Sequence, residues 1–333
     1  MAQKKNKKIV RKTWYILGVV LLIIAYYFIA PNDFEKQVQT LYTSLTEIEE
    51  NGETDNNLEE NSNYLDNLEI YFWDVGQADC ILVCCDGKYM LIDAGNNADG
   101  KLIEEQLKEM EITKIDYLIG THPHEDHIGG LDNIIRSFKI GKFYMPNRQA
   151  NSATFEDVLD AAINKNLKIV APNRGTTFNL GEAECKVLSA ESDAEDTNDS
   201  SIVIQLTFGK HKYLFTGDLT STLEERIEWE DIDVLKVAHH GSRYSSSKTF
   251  LDATSPEIAI ISDGKNNDYG HPHQETLKRL KVVNSEVYRT DKKGTIHLSS
   301  DGKEISINFL DISLDGNRKW IVWNTLLKEL KRK

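Results

Sequence analysis

The ten residues THPHEDHIGG (121–130) gather His122, His124 and His127 with Glu125 and Asp126, three imidazoles and two carboxylates in six consecutive positions. The chain has nine histidines, so a third of them fall in this one loop. Imidazole and carboxylate without thiolate form a donor set suited to Zn²⁺, Mn²⁺ or Fe²⁺. His122 and His124, two apart in an irregular segment, can converge on one ion, while Asp126 and His127 serve a second ion close by. Pro123 stiffens the loop, and Gly129 and Gly130 are expected to let the backbone turn tightly into a following helix.

The elements around this loop must hold it at a strand end. KIDYLIG (114–120) reads as a buried strand running into the cluster, and LDNIIRSF (131–138) as the helix leaving it. Before them, EIYFWDV, ADCILVCC and KYMLIDAG are short apolar runs bounded by turn residues, which suits strands. Asp86–Gly87 between the last two is a two-residue hairpin turn. Hairpins followed by strand–helix alternation occur twice along the chain, which predicts an α/β fold of two mixed sheets covered by helices.

The flanks read differently. Residues 1–12 carry six positive charges, and TWYILGVVLLIIAYYFIA (13–30) is an uncharged run just long enough to span a bilayer. Basic flank and aromatic ends predict an uncleaved single-pass signal anchor over residues 1–30, N-terminus in the cytoplasm and the remainder outside the cell. Residues 31–67 hold ten acids and one lysine among few large apolar side chains, the pattern of an acidic tether. The folded domain is expected over 68–312, followed by a basic amphipathic helix over 313–333. The net charge of −14 argues against a dedicated nucleic-acid-binding face, although divalent cations would add positive charge locally. Cys80, Cys84, Cys85 and Cys185 show no zinc spacing and read as small buried hydrophobes, with a bridge from Cys80 or Cys84 to Cys185 as the alternative.

The strings WDVGQAD, LIDAG, THPHEDHIGG, NDSSIVI, LFTGDL, LKVAHHGS and YGHPH, in this order over residues 69–310, resemble the metallo-β-lactamase-fold hydrolases. Within that family the likeness is to the hydrolase domain of ComEC competence proteins. The resemblance implies an αββα sandwich with two divalent metal ions, Zn²⁺ or Mn²⁺, at one edge of the sheets. It implies His122, His124, Asp126, His127 and Asp218 as metal ligands, Asp218 bridging, with Asp93 orienting a ligand from behind. The last histidine ligand comes from AHHGS or YGHPH, and His271 is favoured by its distance from Asp218 along the chain. His239 and His240 would then face substrate as catalytic groups, with Gly241, Ser242 and His273 beside a phosphate or carbonyl oxygen. Where the family places a further histidine this chain has TNDSS, so Asn198 or Asp199 stands there. Asn198 thereby falls on the substrate side, and manganese gains plausibility.

The resemblance implies hydrolysis by metal-activated water, with Asp126 positioning it and His239 or His240 protonating the leaving group. The motif alone does not choose among phosphodiesters, thioesters, lactones and β-lactams. The ComEC likeness favours a phosphoester, DNA or a nucleotide. A lactonase- or β-lactamase-like enzyme and a metal-binding surface module without turnover are the competing readings. ComEC proteins join this domain to a multi-helix channel, whereas one apolar run predicts a membrane-anchored hydrolase standing alone.

Overall fold

The computed structural model describes residues 67–310. The expected anchor, nearly all of the tether and the basic C-terminal helix lie outside these residues. Among the described residues no helix is long and apolar enough to cross a membrane.

Alternation of side chains along each strand sorts them into separate cores. In chain order the first strands are β1 (Leu68–Phe72), β2 (Ile81–Cys85), β3 (Lys88–Ile92), β4 (Lys114–Ile119), β5 (Lys139–Tyr144) and β6 (Ile169–Val170). Next come β7 (Thr177–Leu180), β8 (Ala183–Ser189), β9 (Val203–Phe208), β10 (His211–Phe215), β11 (Val234–Lys236), β12 (Ile258–Ile261) and β13 (Glu286–Arg289). The chain then closes with β14 (Thr295–Ser300) and β15 (Ile305–Leu310). Among the described residues these form a sheet ordered β15-β14-β1-β2-β3-β4-β5-β6 and a second ordered β13-β12-β11-β10-β9-β8-β7. Both are mixed: β3–β4–β5–β6 and β10–β11–β12–β13 run parallel, the other pairings antiparallel.

Ile70, Phe72, Ile81, Val83, Met90 and Ile92 of the first sheet meet Ile204, Leu206, Tyr213 and Phe215 of the second in one core between the sheets. Their neighbours in sequence point the other way. Leu82, Leu91 and Leu118 pack under α1 (Gly100–Glu109), α3 (Leu131–Ser137) and α4 (Ala153–Asn164). Val203, Leu214 and Leu235 pack under α5 (Ser221–Glu224), α6 (Lys248–Thr254) and α7 (Gln274–Val282). The layers are therefore helix, sheet, sheet, helix, the sandwich expected. The β2–β3 turn has φ of 49° at Asp86 and 67° at Gly87, and positive φ at both central residues is what a tight type I′ hairpin requires.

Neither bridge to Cys185 forms, because Cys185 is a free thiol. The sorting explains why: Cys185 faces the core between the sheets, whereas Cys80 and Cys84 belong to the cluster on the far side of the first sheet. Burial pushes the Cys185 thiol well up from its ordinary value.

Candidate metal centre

The parallel strands of both sheets end on one edge, and the chemistry-bearing residues follow directly from those ends. Asp93 follows β3, the histidine loop follows β4, Asp218 follows β10, and His239 and His240 follow β11. Crevices beyond the carboxyl ends of parallel strands are where such folds bind ligands. Parallel pairing of Phe215 with Lys236 sets the last two loops side by side, and the His239 amide donates to the Gly217 carbonyl at 3.1 Å.

The histidine loop turns into α2 (Glu125–Ile128) and then α3. Gly129 and Gly130 have ordinary φ values of −54° and −90°. Their glycines serve close approach, not the tight turn anticipated. A Cβ on Gly129 would stand 2.2 Å from the Asn96 carbonyl carbon, and one on Gly130 2.4 Å from the Ala94 oxygen. This contact seats the loop against the LIDAG turn. Asp93 there has φ 58° and His239 and His240 both have φ 51°. Left-handed backbone at non-glycine residues costs about 1–3 kcal/mol each and clusters at functional sites.

Asp126, His127, Asp218 and His240 form a group whose donor atoms all lie within 4.8 Å of one another. His127 Nε2 is 3.3 Å from Asp218 Oδ1, His240 Nε2 is 3.3 Å from Asp126 Oδ2, and His127 Nε2 is 3.9 Å from that same Oδ2. Donors roughly 2.0–2.1 Å from a tetrahedral ion stand roughly 3.3–3.4 Å apart, so the group is close to cation-binding size. His127 Nε2, Asp218 Oδ1 and His240 Nε2 are buried with no hydrogen-bond partner among the described residues. Buried polar atoms without partners are rare, and three aimed at one point fit a cation.

The outer nitrogens are committed elsewhere. His127 Nδ1 lies 2.7 Å from Asp93 Oδ2, which also accepts from the Thr121 hydroxyl at 2.7 Å, while Asp93 Oδ1 accepts from the Thr121 amide at 2.8 Å. His240 Nδ1 donates to the Ser262 carbonyl at 2.9 Å. Donation from Nδ1 leaves each Nε2 lone pair free for a cation. His122 and His124 sit beside this group, His122 Nε2 being 3.0 Å from His124 Nδ1 and 3.9 Å from Asp218 Oδ2. Asp218 is thus shared between the two subsets.

Burial by itself lowers imidazoles and raises carboxylates. His122 and His124 are held below the ordinary histidine value chiefly by desolvation, with the neighbouring His127 adding to it. His127 and His240 go the other way: desolvation opposes their charge, but Asp218 and Asp126 outweigh it and raise both. The same coupling holds Asp126 and Asp218 below the usual carboxylate range in spite of burial. These acids demand positive charge at this point, and a cation would compete with the imidazolium protons for it.

His271 lies outside the four-residue group. Its ring stacks on His240 with centroids 6.2 Å apart, its Nδ1 is 3.2 Å from Gln77 Nε2, and burial pushes it down to about 4. The histidine favoured from chain distance is therefore not the one that joins Asp126, His127 and Asp218; His240 is. His239 stands at the opening, partly exposed, its Nε2 3.7 Å from Asp218 Oδ2. Ser242 is buried, its hydroxyl taking the Tyr244 amide and its carbonyl the Thr276 hydroxyl. The Gly241 carbonyl accepts from the His273 amide, and His273 Nδ1 accepts from the Arg243 amide. Gly241, Ser242 and His273 thus bind one another's loops and not the cluster. In the TNDSS segment the side chain that reaches the centre is Ser201, not Asn198. The Ser201 hydroxyl accepts from the Asp218 amide at 3.0 Å and lies 3.4 Å from His122 Nδ1.

Thr121, Ser201, Asp79 and Lys236 were not singled out from the sequence. The signal available was a lysine inside the apolar strand DVLKVA and an acid inside the strand-leading GQADC. Lys236 is fully buried and its Nζ lies 2.5 Å from Asp79 Oδ2.

A model of the family described as the Metallo-beta-lactamase superfamily matches residues 73–262. The chain is 33% identical over 251 residues to ComE operon protein 3 of Bacillus subtilis (strain 168), covering 68% of this chain and 32% of that protein. It is 28% identical over 233 residues to Recombination protein 2 of Haemophilus influenzae, covering 68% and 28%. With Competence protein ComA of Neisseria gonorrhoeae the identity is 29% over 234 residues, covering 67% and 31%. The chain therefore spans about a third of the length of these curated relatives.

Proposed function

The chain belongs to the metallo-β-lactamase superfamily of metal-dependent hydrolases, and from that premise we propose that it is a phosphodiesterase acting on nucleic acid or a nucleotide. The observation that carries the metal reading is the group of buried donors without partners, His127 Nε2, Asp218 Oδ1 and His240 Nε2, facing Asp126. The names of relatives concerned with competence and recombination support the substrate class.

In this reading Asp126, His127, Asp218 and His240 would hold one divalent cation, and His122 and His124 with Asp218 would hold a second. Zn²⁺ and Mn²⁺ both suit a set of imidazoles and carboxylates. Bound there, such a cation supplies Lewis acidity towards a phosphoryl oxygen and brings the pKa of a water near neutrality. Asp126 and Asp218, held ionised, would hold the cation and could accept hydrogen bonds from a nucleophile beside it. Asp93 and the Ser262 carbonyl hold the His127 and His240 rings so that their lone pairs face inward. His239, partly exposed beside Asp218, protonates the leaving oxygen. His271 is neutral near pH 7 and serves as packing for His240.

The basic residues 1–12 and the uncharged run 13–30 support a domain anchored outside the cytoplasmic membrane. Protease added to intact cells removes the domain if that topology holds, and leaves it whole if the domain lies inside.

The test of the activity is the full chain with its metal content measured, assayed on bis-p-nitrophenyl phosphate and on single-stranded DNA with Zn²⁺ or Mn²⁺. Metal-dependent cleavage of either supports the reading. Bound metal with cleavage only of lactones or β-lactams, or of nothing, refutes the phosphodiesterase.

A further inference from the structure

The loop between β1 and β2, which carries WDVGQADC, reaches from the first sheet into the second. Gln77 Oε1 accepts from the Gly264 amide at 3.0 Å, and its Nε2 meets His271. Asp79 takes Lys236, which projects from β11 immediately before the His239–His240 turn. Asp79 is also tied to the first sheet's part of the centre. Its amide donates to the Asp126 carbonyl at 3.0 Å and its carbonyl accepts from the Gly95 amide at 2.8 Å.

Both charged groups are at most 2% exposed. A buried ion pair is weak support for a fold, since apolar residues of similar volume often serve as well or better. The neighbours of this pair give it another use. Asp79 Oδ2 lies 3.8 Å from His127 Nδ1, and Asp79 Oδ1 lies 3.7 Å from His240 Nδ1 with no hydrogen-bond partner among the described residues. One carboxylate thus stands behind both imidazoles whose inner nitrogens face Asp126 and Asp218. Asp93, Asp126 and Asp218 already crowd the same pocket, so a further buried carboxylate calls for a counter-charge there. The Lys236 ammonium supplies it.

We propose that Asp79 and Lys236 are positioning residues of the metal centre that act by charge: Asp79 places negative charge behind the His127 and His240 rings, which Asp93 and the Ser262 carbonyl orient, and Lys236 compensates it. The proposal rests on the metal reading above. It has a sign that a purely structural pair lacks. Without the aspartate, the Lys236 ammonium, which otherwise reaches only the Val237 carbonyl at 3.2 Å among the described residues, is left uncompensated behind the His127 and His240 rings; without the lysine, the site gains negative charge. The two single substitutions therefore push cation affinity in opposite directions, although both break the same pair.

The experiment measures Zn²⁺ affinity of the full chain by competition with a chromogenic chelator, for wild type, Asp79→Asn, Lys236→Met and the double variant. Melting of the metal-stripped chains reports folding separately. Asp79→Asn is expected to weaken Zn²⁺ binding by about 100-fold, the upper range for groups behind a ligand, and the double variant to recover only partly, to about 10-fold below wild type. Lys236→Met is expected to bind at least as tightly as wild type. Wild-type affinity in Asp79→Asn, or no recovery in the double variant, overturns the proposal. Should the single variants not fold, the double variant decides: Zn²⁺ binding about 10-fold weaker than wild type supports the pair, and equal binding overturns it. A wild-type chain that takes up no Zn²⁺ and no Mn²⁺ removes the metal reading and this one with it, whereas normal uptake in every variant removes only the role of the pair.

Discussion

The two sheets deliver their shares of the centre by different means. The first sends His122, His124, Asp126 and His127 from a single stretch after β4, the first two from an extended loop and the last two from the short helix that follows it. The second sends Asp218 from the end of β10 and His239 and His240 from the end of β11, the latter two on left-handed backbone. Local chain geometry suffices for the first share. The second exists only because β10 and β11 pair in parallel with Phe215 opposite Lys236. A site built half from a contiguous motif and half from strand register should lose function most where the halves meet, which is at Asp218.

Asp218 lies within 3.9 Å of His122, His127, His239 and His240. Asp218→Ala is therefore expected to have the largest effect, lowering metal-dependent hydrolysis roughly 10³-fold, the scale of removing a central electrostatic stabiliser. Metal analysis of the purified variant should show loss of bound ion as well. An Asp218→Ala chain with full metal content would mean that the first sheet's loop suffices alone.

The two candidate histidines of the second sheet sharpen the contrast. His240→Ala should weaken cation binding by about 100-fold or more, because even groups behind a ligand contribute about 10–100-fold. His271→Ala should change the same titration by less than about 3-fold on that scale. The reverse order would restore the assignment made from chain distance. Asp93→Asn, on the first sheet's side, should cost about 10–100-fold in affinity while leaving the His240 half intact.

The titration behaviour gives a fourth test. His127 and His240 have folded values raised above the ordinary histidine value of 6.5, so each must lose a proton when a cation binds. Cation affinity should rise with pH until those raised values are passed, by roughly up to 100-fold per pH unit if both protons leave. Melting of the metal-free chain should respond with the opposite sign. The stabilising imidazolium–carboxylate attraction is fully present below 6.5 and fades as pH climbs through the folded values of His127 and His240. Calorimetric metal titrations and metal-free melts across pH 6–9 would reveal either slope.

The smallest effect on the centre should come from the core between the sheets, which is apolar where the centre is charged. Ile204→Ala should cost about 2–5 kcal/mol of stability through the cavity it leaves. Cation affinity of the folded fraction should not change, since Ile204 packs in the core between the sheets and not among the ligands. A large loss of affinity would mean that the sandwich and its edge are coupled more tightly than their separate packing implies.

Much of this molecule was legible along the chain because its signals are local. Short apolar runs bounded by turn residues in EIYFWDV and ADCILVCC mark strands, and Asp86–Gly87 marks a hairpin, from signals that span only a few residues. THPHEDHIGG marks a candidate cation site because five of its donors stand within six residues of chain. Other features depended on which residues the sheets set side by side. Gly129 and Gly130 looked like turning residues, yet what requires them is the Asn96 and Ala94 backbone. Cys80 and Cys185 looked pairable, yet a whole sheet separates them.

The choice of His240 over His271, the reach of Ser201 to Asp218, and the burial of Lys236 against Asp79 all follow from pairings between residues far apart in sequence. Periodicity and residue type act over a few residues and fix local shape and local chemistry. Strand register and sheet packing act across the whole domain, and they alone decided which charges face one another at the edge of the sandwich.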